Sequence, residues 1–245
     1  MMTRSIIRYA APVTPRLRLF CFPHAGAGAS FFANWPERLP AGVEVNAIQL
    51  PGREHRLREE PFVTLPPLLE MVLEEIRPFL DLPFAFLGYS FGALIAFEMA
   101  RQLRHQGQPL PQRLFVLARR APQLPPHLPP AHQLADAELI NWMRDLGGTP
   151  DVLLEHPELL PIFLPILRAD LTLHESYTYQ PEPPLDLAIS AFCGLGDSQA
   201  SRAEMAAWRE QSNGEYELRL YPGGHFFVKH YLATVVRDVS ARLLV

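Results

Sequence analysis

Short apolar runs alternate with helical patterns along most of the chain, and this alternation constrains the fold more than any other feature. Apolar residues at helical spacing occupy 68–76 and 93–103. Strands that alternate with helices form a mostly parallel sheet with helices on both faces, so the sequence predicts an α/β fold. The predicted buried strands are 17–22, 43–50, 84–88, 113–118, 187–193 and 216–221.

The alternation stops after the fourth strand. Residues 122–184 hold a dense share of the 26 prolines, with helical patterns at 136–146 and about 158–177 and no convincing strand. We predict a helical insertion that lies over the sheet. Pro161 and Pro165 are expected to kink or interrupt its second helix, because proline lacks the backbone N–H.

Composition and charge exclude several classes of function. The net charge of −4 and the absence of a basic stripe argue against a nucleic-acid partner. The longest uncharged apolar stretch, 82–97, is shorter than the ~18–20 residues that span a bilayer, so no membrane helix is expected. The N-terminus lacks the sustained apolar segment of a signal peptide, which favours a cytoplasmic protein. Cys21 and Cys193 lie in apolar runs and are expected to be inert core thiols.

A G-x-S-x-G motif, Gly88-Tyr89-Ser90-Phe91-Gly92, joins a predicted strand to a predicted helix. That context is what a nucleophile elbow needs, because the serine occupies a strained turn and small neighbours let strand and helix pack closely. Ser90 is therefore the candidate nucleophile.

A serine hydroxyl requires a base that a carboxylate holds in place, and in this fold the chain order is serine, acid, histidine. His225 follows two glycines after the last predicted strand, so it is the candidate base, with His24 as a weaker alternative. Asp197 follows the fifth strand and is the candidate acid, at the carboxyl edge of the sheet. Capping or solvated roles are expected for the other acids considered: Asp151, Asp170 and Asp186.

The remaining motifs concern an oxyanion hole, a phosphate-binding loop, a metal site and a charged loop. Backbone N–H groups should stabilise the oxyanion, one from Phe91 and one from the small-residue loop 22–28. A phosphate loop is excluded because Phe31 replaces the third glycine and no G-K-[ST] follows. Patterns of metal ligands are absent, so no metal is expected. The arginines of 53–58 are interspersed with Glu54, Glu59 and Glu60, which predicts a solvated loop of mixed charge.

With these residues in place, the chain resembles the type II thioesterases that accompany nonribosomal peptide and polyketide synthases, in the α/β-hydrolase superfamily. The segments that carry the resemblance run nearly end to end: FPHAGAGAS, PGREHRL, GYSFGALIAFEMA, ARRAP, LPILRADLTLHESY, CGLGD and PGGHFF. The elbow departs from the commoner GHSMG at Tyr89 and Phe91.

The resemblance implies one α/β-hydrolase domain over 1–245, with 122–184 as a mobile helical lid. It implies Ser90, Asp197 and His225 as the catalytic triad, and the Ala25 and Phe91 amides as the oxyanion hole.

The implied activity is hydrolysis of wrong or stalled acyl groups from the phosphopantetheine arm of carrier domains, through an acyl-serine intermediate. Carrier domains and small acyl thioesters are the implied partners, and no cofactor is expected beyond the arm itself. Because carrier domains are typically acidic, arginines near the site are expected to steer docking: Arg53, Arg56, Arg58, Arg119 and Arg120. A small-substrate carboxylesterase or acyltransferase and a non-catalytic binding protein of the same fold remain alternatives.

Overall fold

A computed structural model describes residues 4–9, 12, 14–148 and 155–243. The described strands form one sheet in the order β1-β3-β2-β4-β5-β6-β7. β1 is antiparallel to β3, and every other neighbouring pair is parallel, which confirms the predicted α/β fold. The strands are β1 Ile6–Tyr9, β2 Leu17–Phe22, β3 Val43–Ile48, β4 Phe84–Tyr89, β5 Arg113–Leu117, β6 Ala188–Gly194 and β7 Tyr216–Tyr221.

Helices cover both faces of the sheet, because strand side chains alternate between two apolar clusters. The helices are α1 Leu65–Ile76, α2 Phe91–His105, α3 Asp136–Leu146, α4 Leu160–Glu175, α5 Arg202–Ala206 and α6 Val228–Ser240. Phe20 and Phe86 face the cluster under α1 and α2, whereas Leu19 and Leu87 face the cluster under α6. Both cysteines are buried and free, as predicted.

β1 is the strand that the sequence analysis missed. It has four residues, and only Ile6 among them is buried. Its pairing with β3 is antiparallel and places Ile6 beside Ile48. A run this short gives no local signal of its own, so only the pairing with a strand about forty residues away defines it.

The segment between β5 and β6 contains α3 and α4, which pack on each other through a small apolar cluster that includes Leu139, Met143 and Leu167. The predicted interruption of the second helix is absent, since α4 is continuous through Pro165. Pro161 lies in the first turn, where backbone N–H groups have no intrahelical partner. Pro165 therefore removes a single bond near the helix start. Asp151 lies outside the described residues.

The end of this insertion is attached to α2 by charge. The Glu182 carboxylate accepts from Arg104 Nη2 at 2.5 Å and from His105 Nε2 at 2.9 Å, and it also pairs with Arg101. Burial alone raises the pKa of Glu182, but hydrogen bonds from Arg101, His105 and Arg104 outweigh it and lower the pKa to about 2. The ionised form therefore stabilises the folded chain.

We expect Glu182→Gln to lower the free energy of unfolding by about 1–2 kcal/mol at pH 7. Because the folded pKa lies below the ordinary value of 4.5, this stabilisation is complete above pH 4.5 and is lost as the pH falls toward 2. Urea unfolding between pH 7 and pH 3 measures the difference between variant and wild type. Glu37→Gln, which changes a surface glutamate, is the control, and a difference that does not depend on pH would contradict the assignment.

Candidate active site

Ser90 lies in a sharp turn between β4 and α2, with φ 53° and ψ −112°. A side chain at either flanking glycine would collide with backbone. A Cβ at Gly88 would lie 2.3 Å from Ala93 Cα, and one at Gly92 would lie 2.1 Å from the carbonyl oxygen of Phe22. The local sequence therefore allows the strained turn of a nucleophile elbow.

The three predicted triad residues form one chain of hydrogen bonds. His225 Nε2 lies 3.0 Å from Ser90 Oγ, and His225 Nδ1 lies 3.0 Å from both carboxylate oxygens of Asp197. The Asp197 side chain is fully buried and accepts from the backbone N–H groups of Gln199 and Ala200. Because a carboxylate only accepts, Nδ1 carries the proton and the Nε2 lone pair faces the serine hydroxyl.

Tyr89 holds the loop of the histidine, which the sequence analysis did not foresee. Its hydroxyl donates to the His225 carbonyl oxygen at 2.6 Å, and its ring lies nearly parallel to the imidazole at 6.1 Å. The Tyr89 side chain is fully buried. Only its place next to the nucleophile could have signalled this role, because the contact joins residues 136 positions apart.

His24 does not contact the serine hydroxyl. Its Nδ1 donates to the Ala25 carbonyl oxygen at 3.0 Å, and its ring meets the edges of Phe31 and Phe226. Desolvation lowers the pKa of His24 to about 4. His24 is therefore a neutral imidazole whose Nδ1–H stabilises this loop. Since His225 Nε2 lies at hydrogen-bond distance from Ser90 Oγ, the geometry favours His225 as the base.

Two backbone amides are available beside the nucleophile. In the part of the chain that the structure describes, the Ala25 N–H has no hydrogen-bond partner. Phe91 occupies the first position of α2, where an N–H has no intrahelical acceptor. Both residues line the same cavity as Ser90, which is the arrangement that an oxyanion hole requires.

The charged loop after β3 is not solvated as predicted. Arg53 and Arg56 are only 4% and 6% exposed. Arg53 forms a bidentate ion pair with Asp170 of α4, for which a capping or solvated role was expected, and Arg56 pairs with Glu59. The loop is buried because it folds against α4 and against the residue just before β1. Asp186, in contrast, is exposed and accepts from Asn213.

Burial also corrects the expectation that five arginines steer the docking of a carrier domain. Arg119 is 6% exposed, so together with Arg53 and Arg56 it is withdrawn from solvent. Arg58 is exposed and Arg120 is partly exposed. Among the five arginines considered, only these two remain accessible for attraction over a distance.

A cavity of about 1320 Å³ opens above Ser90 and His225. It is lined by the loop 24–28, by α3 and α4 and by the proline-rich segment 122–130 of the insertion. Three large apolar side chains at its edge stay exposed: Leu57, Leu128 and Ile162. The cavity is large enough for an extended ligand that buries most of its surface.

Part of the cavity wall is polar. Within the described ranges, Arg119 Nε and both ring nitrogens of His174 have no hydrogen-bond partner. Burial and the nearby Arg120 lower the pKa of Arg119 to about 9, and burial with the charge of Arg119 lowers that of His174 well below its ordinary value. At neutral pH Arg119 is therefore a cation and His174 a neutral imidazole, and the unpaired nitrogen atoms of both side chains are buried.

Comparison with known proteins places the whole arrangement in a family. Residues 17–243 match the thioesterase domain. The chain is 46% identical over 213 residues to the gramicidin S biosynthesis protein GrsT of Aneurinibacillus migulanus, which covers 87% of this chain and 83% of that protein. This chain belongs to the thioesterase family.

Solved structures agree with this thioesterase in both sequence and fold. The RedJ thioesterase of the prodiginine pathway in Streptomyces coelicolor is 39% identical, with a TM-score of 0.89 over 95% of this chain and 88% of that one. The type II thioesterase BorB of the borrelidin biosynthetic cluster is 30% identical, with a TM-score of 0.87 over 98% of this chain and 97% of that one. The chain is thus a type II thioesterase with the α/β-hydrolase fold, and a serine hydrolase.

Neither a metal site nor a membrane span is found among the residues that the structure describes. No group of three or more His, Cys, Asp or Glu there has an arrangement that could hold a metal ion. None of the helices described is long and apolar enough to cross a membrane.

We expect Asp197→Asn to lower kcat by about 10⁴-fold, because an amide side chain no longer holds Nδ1–H and the histidine loses the required tautomer. Hydrolysis of a small acyl thioester measures the loss, and circular dichroism checks the fold. Asp186→Asn is the matched control, because this carboxylate is exposed and precedes β6, whereas Asp197 follows β6. Retention of a tenth of the wild-type kcat by Asp197→Asn would refute the role of this acid.

Proposed function

We propose that this thioesterase hydrolyses aberrant or stalled acyl groups from the phosphopantetheine arm of carrier proteins in nonribosomal peptide or polyketide synthesis. The observation that carries the proposal is the hydrogen-bonded chain from Ser90 Oγ to Asp197 at the floor of a large cavity. The printed descriptions of the relatives support the biosynthetic setting, since GrsT is a gramicidin S biosynthesis protein and BorB belongs to a borrelidin cluster.

In the acylation step, His225 Nε2 accepts the hydroxyl proton while Ser90 Oγ attacks the thioester carbonyl carbon. The Ala25 and Phe91 N–H groups donate to the oxyanion that forms. When the tetrahedral intermediate collapses, the carbon–sulfur bond breaks and the imidazolium returns its proton to the arm's sulfur. Asp197 stabilises the imidazolium throughout, because its buried carboxylate lies 3.0 Å from Nδ1.

In the deacylation step, His225 removes a proton from water, which attacks the acyl-Ser90 ester, and the proton then passes to Ser90 Oγ as the free acid leaves. A thiol is a good leaving group, since its pKa of about 8.5 is far below that of an alcohol. Modest acyl selectivity therefore suffices for editing. We propose that the chemistry uses no cofactor or metal and that the substrate itself supplies the phosphopantetheine.

The rim of the cavity suggests how a carrier domain would dock. Leu57, Leu128 and Ile162 are 48%, 42% and 50% exposed and line the cavity. Exposed apolar residues at a cavity edge are typical of a surface that a partner covers. Arg58 and Arg120 add accessible positive charge for an acidic carrier domain. The insertion would act as the lid that shapes the entrance, and the cytoplasmic location expected from the N-terminus stays a prediction.

The deciding experiment compares three substrates of the wild-type enzyme by mass spectrometry. They are an acetyl-loaded carrier protein, the acetyl thioester of N-acetylcysteamine and a p-nitrophenyl ester. We expect the highest kcat/KM on the carrier, because contacts remote from the thioester contribute binding energy. Equal efficiency on all three would favour the small-substrate carboxylesterase or acyltransferase.

Ser90→Ala should lower kcat by at least about 10⁴-fold on each substrate, because no nucleophile remains to form the acyl-enzyme. Intact-protein mass measurement after a fluorophosphonate probe should show a single adduct on the wild type and none on the variant. An unreduced rate in Ser90→Ala would instead identify a non-catalytic role for this serine.

Ile162→Ser should lower kcat/KM on the acyl carrier by roughly 5- to 10-fold, since about 1–1.4 kcal/mol of apolar contact is lost at the interface. The rate on the N-acetylcysteamine thioester should stay unchanged. Val63→Ser is the matched control, because Val63 is equally exposed at 51% but does not line the cavity. The rim would lose its role in docking if both variants behaved alike on the carrier.

A further inference from the structure

A carboxylate of the insertion reaches back to the loop that holds Ala25. Asp170 of α4 is 2% exposed, and its Oδ2 accepts from the Gly26 N–H at 2.8 Å. The same carboxylate takes both nitrogens of the Arg53 fork, with Nη1 at 2.6 Å from Oδ2 and Nη2 at 2.8 Å from Oδ1. One buried group thus connects α4, the loop after β3 and the loop after β2.

The peptide between Ala25 and Gly26 is held at both of its polar ends. Its N–H donates to Asp170, and its carbonyl oxygen accepts from His24 Nδ1 at 3.0 Å. A rotation of this peptide plane would break both bonds together. The orientation of the plane in turn limits the torsions of Ala25, whose own N–H is left without a partner among the described residues.

Backbone conformation and packing restrict the same peptide. Gly26 has φ +75°, a conformation that favours glycine, and a Cβ there would lie 2.9 Å from Phe163 Cζ of α4. The loop is therefore packed directly on the helix that supplies Asp170. Its position and the position of α4 depend on each other.

Arg53 is fixed independently of Asp170. Its Nε donates to the Pro51 carbonyl oxygen at 3.1 Å, and its own carbonyl oxygen accepts from Gln49 Nε2 at 2.9 Å. Gln49 Oε1 in turn accepts from the Ala29 N–H at 2.7 Å. The Arg53 guanidinium is thus held in place at the end of β3, and from there it donates to the Asp170 carboxylate.

We propose that Asp170 is a positioning residue, which aims the Ala25 N–H at the oxyanion by fixing the Ala25–Gly26 peptide. The inference rests on the proposed acyl-serine chemistry and deepens it. It assigns α4 a second task beyond covering the cavity: the helix completes the oxyanion hole. Movement of the lid would then have to leave α4 in place and open the entrance through other parts of the insertion.

Two double variants separate this role from simple stabilisation. Loss of Asp170 alone would leave Arg53 buried without a counter-charge, which strongly destabilises a fold. Arg53→Met with Asp170→Asn and Arg53→Met with Asp170→Leu both remove the ion pair and keep similar volumes. They differ in one respect, because only the asparagine offers an acceptor to the Gly26 N–H.

The Asn-containing double variant should keep kcat within about 5-fold of wild type, while the Leu-containing one should lose about 10²–10³-fold, the effect of one oxyanion donor. KM on a small acyl thioester should change little in either. Affinity for a trifluoromethyl ketone, which presents an oxyanion, should fall in parallel with kcat. Melting temperatures should be similar, as controls of folding.

A second variant tests the other end of the peptide without touching the ion pair. His24→Phe keeps an aromatic ring among Phe31 and Phe226 but removes the Nδ1 donor. It should lower kcat about 10-fold, and the trifluoromethyl ketone affinity by a similar factor, as a partial loss of orientation.

Equal kcat in the two double variants, a loss confined to KM, or an unchanged kcat in His24→Phe would overturn the role of Asp170. These rates are read on a small thioester, so they do not depend on carrier recognition. A wild-type enzyme that hydrolyses small thioesters but ignores acyl carriers would contradict the proposed function and leave this inference standing.

Discussion

The site depends on the close approach of two backbone segments, the N-terminal end of α2 and the end of β2. A Cβ at Gly92 would lie 2.1 Å from the Phe22 carbonyl oxygen, so the two elements pack at a distance that only glycine permits. This approach places the strained Ser90 and the Phe91 amide next to the loop 23–28. The candidate nucleophile and both candidate oxyanion donors therefore share one corner of the sheet, at the carboxyl ends of β2 and β4.

The buried charged residues of this thioesterase fix the arrangement of its loops. Arg53, Arg56 and Asp170 are nearly excluded from solvent, and each has charged or polar partners at hydrogen-bond distance. Buried ion pairs contribute little net stability, but their directional bonds specify one arrangement of the loops they join. Arg119 differs, because it lines the cavity and its Nε has no acceptor in the described part of the protein. Burial of an unpaired polar atom of this kind costs free energy.

The insertion and the catalytic loops are physically one unit. α4 packs its Phe163 ring on the Gly26 turn and its Asp170 carboxylate on the Gly26 N–H. The Tyr89 hydroxyl likewise attaches the His225 loop to the strand that carries the elbow. Contacts within the protein therefore align the groups around Ser90 before any substrate binds.

The local sequence determined six strands of the sheet and the order in which the candidate catalytic residues follow them. All six predicted strands are found, because buried parallel strands are short apolar runs with clear boundaries. The elbow was also predictable, since G-x-S-x-G between a strand and a helix leaves few alternatives for the backbone. Asp197 and His225 followed from their places at the ends of later strands, and the structure brings both to Ser90.

Tertiary structure alone decided the contacts that orient these groups. The Arg53–Asp170 pair joins residues 117 positions apart, and the Tyr89–His225 bond joins residues 136 apart. A charged residue carries no local sign that another element will bury it, so Arg53 and Arg56 were expected in solvent and Asp170 in a capping or solvated role. β1 and the continuity of α4 through Pro165 depend in the same way on packing against distant residues. A short sequence pattern indicates whether a segment forms a helix or a strand. The tertiary fold decides which distant residues a side chain contacts.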